Sequence, residues 1–242
     1  MVNHRGSILF LLFVFALTLT SVWTVAKADD FFVVAVGKKA KRTILVSPQQ
    51  TTAESGAALL DALAGITDAS ATNPYLMLIE PGVYDVGEDP LQMKPYVDIQ
   101  GSGEEVTTIT GIIGSGSSQA ERGVVEGANN AELRFLTIEH RGGAMYANAI
   151  LNDGASPSLT HVTAKTLGGT YGDAIQISSG ATPKINNVTV SSSGGYSCTG
   201  ISIDASSPTV MNVTATAHSS CTAKYGFRIR NGSSVTLKNV VA

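Results

Sequence analysis

A repeat of about 26 residues runs through the second half of the chain and limits the folds open to it. Five units follow one another, and their starts are separated by 26, 25, 26 and 26 residues. Each unit contains two short stretches of alternating apolar and polar residues, joined by small turn residues, and none contains a helical pattern. The units begin at Gly123, Ala149, Ala174, Gly200 and Gly226.

A strand-only repeat of this length cannot bury its apolar face alone. It must stack on its neighbours, about 4.8 Å apart, as a solenoid of parallel sheets. The blades of a β-propeller need about 40 residues, so that fold is excluded. Recurring residues predict two inward columns and an asparagine ladder. The columns are Leu159, Ile185, Val210 and Leu237, and Val162, Val188, Val213 and Val240; the ladder is Asn187, Asn212 and Asn239.

The two ends of the predicted solenoid differ. Thr51 and Glu54 form a capping-box pattern before an apolar face that starts at Leu59, which predicts a short helix over the N-terminal end. At the other end, Ala242 stops in mid-coil with no polar cap. The prediction is an all-β parallel β-helix over residues 29–242, truncated at its C-terminal end or docked there as a homo-oligomer.

Residues 1–28 have the pattern of a secretory signal peptide. They combine a positive start at Arg5, an apolar run over residues 8–22 and a small-x-small cleavage site at residues 26–28. The apolar run of about 15 residues falls short of the roughly 20 that span a bilayer. The mature protein is therefore predicted to be secreted, extracellular or periplasmic, and not membrane-spanning.

Charge and cysteine content narrow the partners further. The signal peptide carries two of the 16 basic residues, so the mature chain has 14 against 19 acidic residues, a formal charge of −5. Such a surface does not suit nucleic acid. Cys198 and Cys221 lie 23 residues apart, each in a loop that leads into the next coil. In an oxidising compartment we expect a disulfide between neighbouring coils, with two free thiols as the alternative.

Residues 75–111, YLMLIEPGVYDVGEDPLQMKPYVDIQGSGEEVTTITG, contain a strand, then Pro-Gly-x-Tyr, and later Gly-x-Gly before a Thr-Ile strand. This segment resembles the first coils of pectin methylesterases, within the pectin lyase-like superfamily, and the later units resemble repeats of bacterial exported β-helix proteins. The resemblance implies a right-handed parallel β-helix and a polysaccharide partner. It does not specify a reaction, because many activities share this scaffold.

The catalytic motifs of these relatives are absent. After Gly111 there are no paired aspartates with Arg-Pro-Trp, as in pectin methylesterases, and no acidic calcium cluster with R-x-P-x-x-R, as in pectate lyases. The motif order of polygalacturonases is imitated by GDA at 172–174, TG at 199–200 and RIR at 228–230. Their reaction needs two carboxylates, and these motifs contain only Asp173. No metal and no cofactor is predicted.

Outward side chains on the first strand of each unit fall into columns that suit a polymer with repeating units. Aromatic faces stack on sugar rings, while carboxylates, amides and arginine bind hydroxyl and acid groups. The structural alternative is that Asp204 pairs with Arg230 and that the tyrosines stack to keep the coils in register. The glycan-binding candidates are Tyr146, Tyr171, Tyr196, Asp153, Asp173, Gln176 and Arg228.

We predict from the sequence an exported, non-catalytic β-helix that binds polysaccharide or serves as a surface or adhesive module. The alternative is a carbohydrate-active enzyme that acts on acidic polysaccharide as a pectin esterase, lyase or polygalacturonase does. A third hypothesis is a structural spike or fibre, which a trimer without affinity for sugar would favour. The polar triplet Glu139, His140 and Arg141 is a secondary candidate site, without an oriented nucleophile or second carboxylate beside it.

Overall fold

The computed structural model describes residues 23–26, 32–35, 42–114, 121–218 and 220–242. By its contacts the chain divides into two units, Met1–Ala40 and Lys41–Ala242. In the first unit, strand β1 (Trp23–Ala26) pairs antiparallel with β2 (Phe32–Ala35). Apart from β1, the predicted signal peptide lies outside the described residues, and it stays a prediction.

The described part of the second unit contains one helix, α1 (Thr52–Ala64), and a long series of strands. The first strands are β3 (Arg42–Val46), β4 (Tyr75–Ile79), β5 (Gly82–Asp85), β6 (Leu91–Gln92), β7 (Val97–Gln100), β8 (Thr107–Gly111) and β9 (Gly123–Glu126). The later strands are β10 (Glu132–His140), β11 (Tyr146–Asp153), β12 (Ser158–Leu167), β13 (Tyr171–Ser178), β14 (Lys184–Ser193), β15 (Ser197–Asp204), β16 (Thr209–Ala217), β17 (Ala223–Arg230) and β18 (Thr236–Val241).

These strands form two parallel sheets. The larger sheet has the order β18-β16-β14-β12-β10-β7-β4-β3, with β5 and β8 beside this path, and the smaller sheet has the order β17-β15-β13-β11-β9-β6. From β9 onward the chain adds one strand to each sheet in turn, so that each coil stacks on the one before. The predicted parallel β-helix is confirmed.

The core consists of aliphatic columns that repeat from coil to coil. Leu159, Ile185 and Val210 are register partners and are fully buried. The column ends at Leu237, which is the register partner of Val210 and is 46% exposed. Burying one such side chain contributes about 1.5–3 kcal/mol, so this stacking holds the coils together. The residues of the predicted valine column, from Val162 to Val240, are register partners as well.

A corner divides each later strand of the larger sheet into two halves. β10 pairs through its first half with β7 and through its second half with β8, so one bent strand takes the place of two strands and a loop. At the corner the backbone is left-handed, with φ between 51° and 55°, a conformation that asparagine tolerates better than most residues. The corner residues are Phe135, His161, Asn187, Asn212 and Asn239.

The corner holds the predicted asparagine ladder only in part. Asn239 Nδ2 donates to Asn212 Oδ1 over 3.0 Å, as predicted. Asn212 Nδ2, however, donates to Asn186 Oδ1 over 2.9 Å, and the amide of Asn187 lies 3.3 Å from Nε2 of His161. The predicted bond between Asn187 and Asn212 is wrong, because Asn186, the residue before the corner, also carries an amide within reach of Asn212.

Helix α1 begins at the predicted capping box. Thr51 Oγ1 accepts a hydrogen bond from the backbone N–H of Glu54 over 3.1 Å, and the Glu54 carboxylate accepts one from the N–H of Thr51 over 3.0 Å. Leu59 is fully buried in the core. The helix packs closely on β5, because a Cβ added at Gly56 would lie 1.9 Å from the carbonyl oxygen of Asp85. The predicted N-terminal helix is confirmed.

Cys198 and Cys221 form the predicted disulfide, with 5.9 Å between their Cα atoms, and both are buried. The bond joins β15 to the loop that leads into β17. β17 and β18 are the outermost strands of their sheets, and Val241 there is 65% exposed. Association of chains through this coil stays a prediction. Within the described ranges, no helix is long and apolar enough to cross a membrane.

Candidate functional site

The outer face of the smaller sheet carries most of the predicted site residues. Along β13, Ala174 and Ile175 both belong to the core, so the alternation of inward and outward side chains breaks between them. Asp173 and Gln176 therefore both lie on the outer face. Uninterrupted alternation would place these two side chains on opposite faces.

Asp173 is covered by an arginine from two coils further along. Nη2 of Arg228 lies 3.1 Å from Oδ2 of Asp173 and 3.3 Å from the hydroxyl of Ser202. Ser202 occupies the intervening coil in the column of Arg228, and its small side chain leaves room for the arginine to reach across. Burial raises the pKa of Asp173, and the charge of Arg228 opposes that rise.

The structure adds Glu121, a residue that the sequence motifs do not single out. It lies two residues before β9, and its Oε2 accepts a hydrogen bond from Nε2 of Gln176 over 2.5 Å. Burial raises the pKa of Glu121, and the nearby charge of Asp173 raises it further. Two carboxylates from different coils therefore approach the same part of the outer face.

A signal for Glu121 exists in the repeat. Gly123 is the register partner of Asn148, so Glu121 takes in its coil the place that Tyr146 takes in the next. The tyrosine column thus continues as a glutamate. Because the units are counted from Gly123, a comparison of the units stops just short of this residue.

The buried donors without a hydrogen-bond partner among the described residues include Nδ2 of Asn148, on the strand beside Asp173, and Nε of Arg228. Asn148 is 2% exposed and is the register partner of Asp173. A buried donor without an acceptor costs about 1–3 kcal/mol, so a ligand with acceptor atoms would be stabilised here. We call the following set the polar site: Glu121, Asn148, Asp173, Gln176, Ser202 and Arg228.

The predicted tyrosine column lies on the same face. The rings of Tyr146 and Tyr171 stack with centroids 5.4 Å apart, and Tyr196 meets Tyr171 edge-on at 6.3 Å. The stacking alternative is therefore confirmed, yet Tyr196 remains 58% exposed. Tyr225, which was not predicted, is 43% exposed, and the guanidinium carbon of Arg228 lies 5.9 Å from its ring centroid. Exposed aromatic surface therefore borders the polar site.

Asp153 lies in the next column and takes part in pairing between coils. Its Oδ1 accepts a hydrogen bond from the hydroxyl of Ser178 over 2.9 Å. In the same column Arg230 and Asp204 form the predicted ion pair at 3.3 Å. The structure thus gathers Asp173, Gln176 and Arg228 in the polar site and leaves Asp153 beside it.

In the polar triplet of Glu139, His140 and Arg141, the last two residues make contacts with other parts of the solenoid. His140 is fully buried; its Nδ1 accepts a hydrogen bond from the N–H of Gly142 over 3.0 Å, and its Nε2 lies 3.0 Å from the carbonyl oxygen of Ile113. Burial lowers the pKa of His140. Arg141 pairs with Asp85 at 2.8 Å. These contacts fasten the loop after β10 to neighbouring coils.

A second polar cleft, of about 440 Å³, lies on the larger sheet and includes Asp98, Glu132 and Lys184. Its carboxylates are already engaged, because Asp98 accepts from the N–H of Glu132 over 3.0 Å and Glu132 pairs with Arg134. Among the residues the structure describes, no group of three or more His, Cys, Asp or Glu side chains is placed to hold a metal ion.

Comparison with known proteins gives likeness of structure only. No protein-family profile and no curated sequence matches the chain. A Geobacillus virus E2 protein, ORF18, aligns with a TM-score of 0.53 at 12% identity, over 81% of this chain and 42% of that one, so the chain spans less than half of that relative. At this identity the likeness concerns the fold alone.

Two carbohydrate-active proteins also align. Pectin methylesterase PemA from Erwinia chrysanthemi has a TM-score of 0.43 at 12% identity, over 75% of this chain and 68% of that one. The A-module of the Azotobacter vinelandii mannuronan C-5 epimerase AlgE4 has a TM-score of 0.33 at 14% identity, over 77% and 72%. The strand order and the stacked coils give this chain a parallel β-helix fold.

Proposed function

We propose that this protein binds a polysaccharide along the outer face of its smaller sheet. The observation that carries the proposal is the polar site, whose buried donors Asn148 and Arg228 lack acceptors, next to the exposed rings of Tyr196 and Tyr225. Sugar hydroxyl and ring oxygens supply acceptors, and the C–H face of a sugar ring packs against an aromatic ring.

The direction of the face suits a polymer. Its columns advance by one coil, about 4.8 Å, at a time, so that a chain lying along the solenoid meets similar groups at regular steps. Tyr171 and Tyr196 follow one another in this direction on consecutive coils. A small ligand would use one coil, whereas an extended chain reaches the tyrosines and the polar site together.

The compartment is part of the proposal. The Cys198–Cys221 disulfide supports an oxidising space, and the predicted signal peptide agrees with it. We therefore place the binding outside the cytoplasm, in a secreted, extracellular or periplasmic protein. There the protein would have access to the polysaccharides of a cell envelope or a cell wall.

The test is equilibrium binding of the purified chain to a panel of neutral and acidic polysaccharides by calorimetry. Tyr196→Ala should weaken binding about 3- to 10-fold, the equivalent of about 0.5–1.5 kcal/mol for one aromatic contact. The matched control is Phe135→Ala, which removes a ring that is 38% exposed at the corner of the other sheet. Binding to none of the polysaccharides, or equal losses in both variants, would refute the proposal.

A further inference from the structure

We infer that the polysaccharide bound at the polar site is an uncharged polymer with free hydroxyl groups, and that the site disfavours acidic polymers. The inference rests on the proposed function, because it names the class of polymer that lies on the outer face of the smaller sheet. Two features of that face carry it: the balance of its charges, and the kinds of hydrogen-bonding groups that it leaves free.

The arginines in and around the polar site are each paired with a carboxylate. The pairs are Arg122 with Glu126, Arg228 with Asp173 at 3.1 Å, and Arg230 with Asp204 at 3.3 Å. Each guanidinium therefore already has its counter-charge. None of the three offers an uncompensated positive charge to an acidic polymer.

Two carboxylates at the same place have neutral partners instead. Glu121 accepts a hydrogen bond from the amide of Gln176, and Asp153 accepts one from the hydroxyl of Ser178 over 2.9 Å. Both carboxylates are exposed, and neither forms an ion pair within the part of the chain that the structure describes. An approaching anion therefore meets an excess of negative charge here.

Lys224 is a cation at the margin of this face. It is exposed on β17 and forms no ion pair with the residues described. Its register partner is Cys198, whereas the polar site occupies the neighbouring columns of Asp173 and Gln176. Lys224 is therefore the group through which an acidic polymer would bind if it were attracted to this strand, and it has to be tested separately.

The free hydrogen-bonding groups of the polar site include donors and acceptors. Nδ2 of Asn148, a side chain that is 2% exposed, and Nε of Arg228 are donors without an acceptor among the described residues. Asp173, the register partner of Asn148, supplies acceptor oxygens beside them. A sugar hydroxyl both donates and accepts, so it matches both kinds of group at once. A sugar carboxylate only accepts, and it would be the second carboxylate on a guanidinium that Asp173 already neutralises.

The experiment compares each polymer backbone in a neutral and an acidic form. A glucan and a mannan are used as such and with their primary hydroxyl groups oxidised to carboxylates, and galacturonan is compared with its methyl ester. Calorimetry with the full chain gives a dissociation constant for each form. The pH is set on the alkaline side of neutral because burial raises the pKa of Glu121.

We expect the neutral form of a bound backbone to bind about 10-fold more tightly than its acidic form at low salt. The ratio should shrink at 1 M salt, where the Debye length falls to about 3 Å from about 30 Å at 0.01 M. The shrinkage would identify the preference as electrostatic rather than a matter of the shape of the polymer.

Variants locate the preference on this face. Glu121→Gln and Asp153→Asn each remove one unpaired negative charge, and each should lower the ratio by about 3-fold. The matched control is Glu132→Gln, on the larger sheet, where the carboxylate pairs with Arg134; its ratio should equal that of the wild type. Lys224→Gln should leave the affinity for the neutral form unchanged. Thermal unfolding checks that every variant is folded.

The outcomes separate the inference from the proposed function. An acidic form that binds as tightly as its neutral counterpart, or an acidic form whose binding is strong and lost in Lys224→Gln, would overturn the inference and leave the proposed function intact. A preference that persists undiminished in the double variant of Glu121 and Asp153 would overturn it as well. Binding of neither form of any backbone would refute the proposed function itself.

Discussion

The corner of the larger sheet and the polar site of the smaller sheet use polar side chains in different ways. At the corner, Asn212 bonds to Asn186 and Asn239 bonds to Asn212, residues 26 and 27 positions apart, which is one coil. In the polar site, Arg228 bonds to Asp173 and Gln176 bonds to Glu121, each 55 positions apart, which is two coils.

In the polar site the longer reach brings unlike groups together, whereas the two-coil pair of Arg141 with Asp85 fastens a loop to the stack. A bond between adjacent coils spans about 4.8 Å, so short amides suffice and the same bond can repeat down a column. A bond over two coils needs a long side chain and a small residue in between, as Ser202 is beneath Arg228. Such a bond cannot recur in every coil, and where it occurs it gathers unlike groups from distant parts of the chain.

The largest effect should come from the disulfide, which holds the coil that carries Arg228. Replacing Cys198 and Cys221 by serine should lower the free energy of unfolding by about 3 kcal/mol, the value for a closed loop of roughly this length. Urea unfolding with and without reductant measures it. If reduction of the wild type leaves the midpoint unchanged, the bond does not constrain this end of the solenoid.

The two-coil ion pair comes next. Arg228→Met leaves Asp173 buried without its cation, and we expect a loss of about 2 kcal/mol at pH 7, below the value for a fully buried pair because Arg228 is 22% exposed. The matched control is Arg230→Met, whose pair with Asp204 is more exposed and should contribute only about 0–1 kcal/mol. Adding Asp173→Asn to Arg228→Met should recover part of the stability, and equal losses in the two arginine variants would contradict the comparison.

A smaller effect is expected for the one-coil bonds of the corner. Asn212→Ala removes the bonds to Asn186 and Asn239 and places alanine at φ 52°, so the free energy of unfolding should fall by about 1–2 kcal/mol. Asn212→Gly removes the same bonds but accepts this φ, and it should lose less. Chemical denaturation measures both, and a glycine variant no more stable than the alanine variant would show that the backbone conformation contributes little.

The smallest effect concerns pH. His140, at the end of a strand of the larger sheet, fastens Ile113 and Gly142 in its neutral form, and burial lowers its pKa below 6.5. The unfolded chain therefore binds more protons, and stability falls as the pH drops through 6.5 toward the pKa of the folded state. Measured as a difference from His140→Gln, this acid-side loss should be present in the wild type only. A pH-independent difference would contradict it.

Much of the fold followed from the repeat, because stacking of coils is nearly one-dimensional. Once the units are aligned, Leu159, Ile185 and Val210 must share a column, and their register in the sheet agrees. The disulfide and the helix cap also followed, since each depends on residues placed by local spacing. The asparagine ladder was predicted only in part, because which of two adjacent amides bonds across the coils depends on the geometry of the corner.

The candidate site was less predictable. Asp173, Gln176 and Arg228 were placed on the outer face, but their grouping depends on the consecutive core residues Ala174 and Ile175, a break in alternation that spacing alone does not reveal. Glu121 was missed because it stands outside the aligned units and meets Gln176 only across two coils.

By itself the sequence determined the architecture of this protein: parallel coils of about 26 residues and a capped helix before them. The physical reason is that the apolar residues of one coil pack on those of the neighbouring coils, and the same packing recurs along the chain. Only the tertiary structure decided that two carboxylates, an arginine and two unpaired donors converge on one face. These groups converge through contacts that span two coils, in which a long side chain reaches past a small one. Such contacts leave no periodic pattern in the sequence.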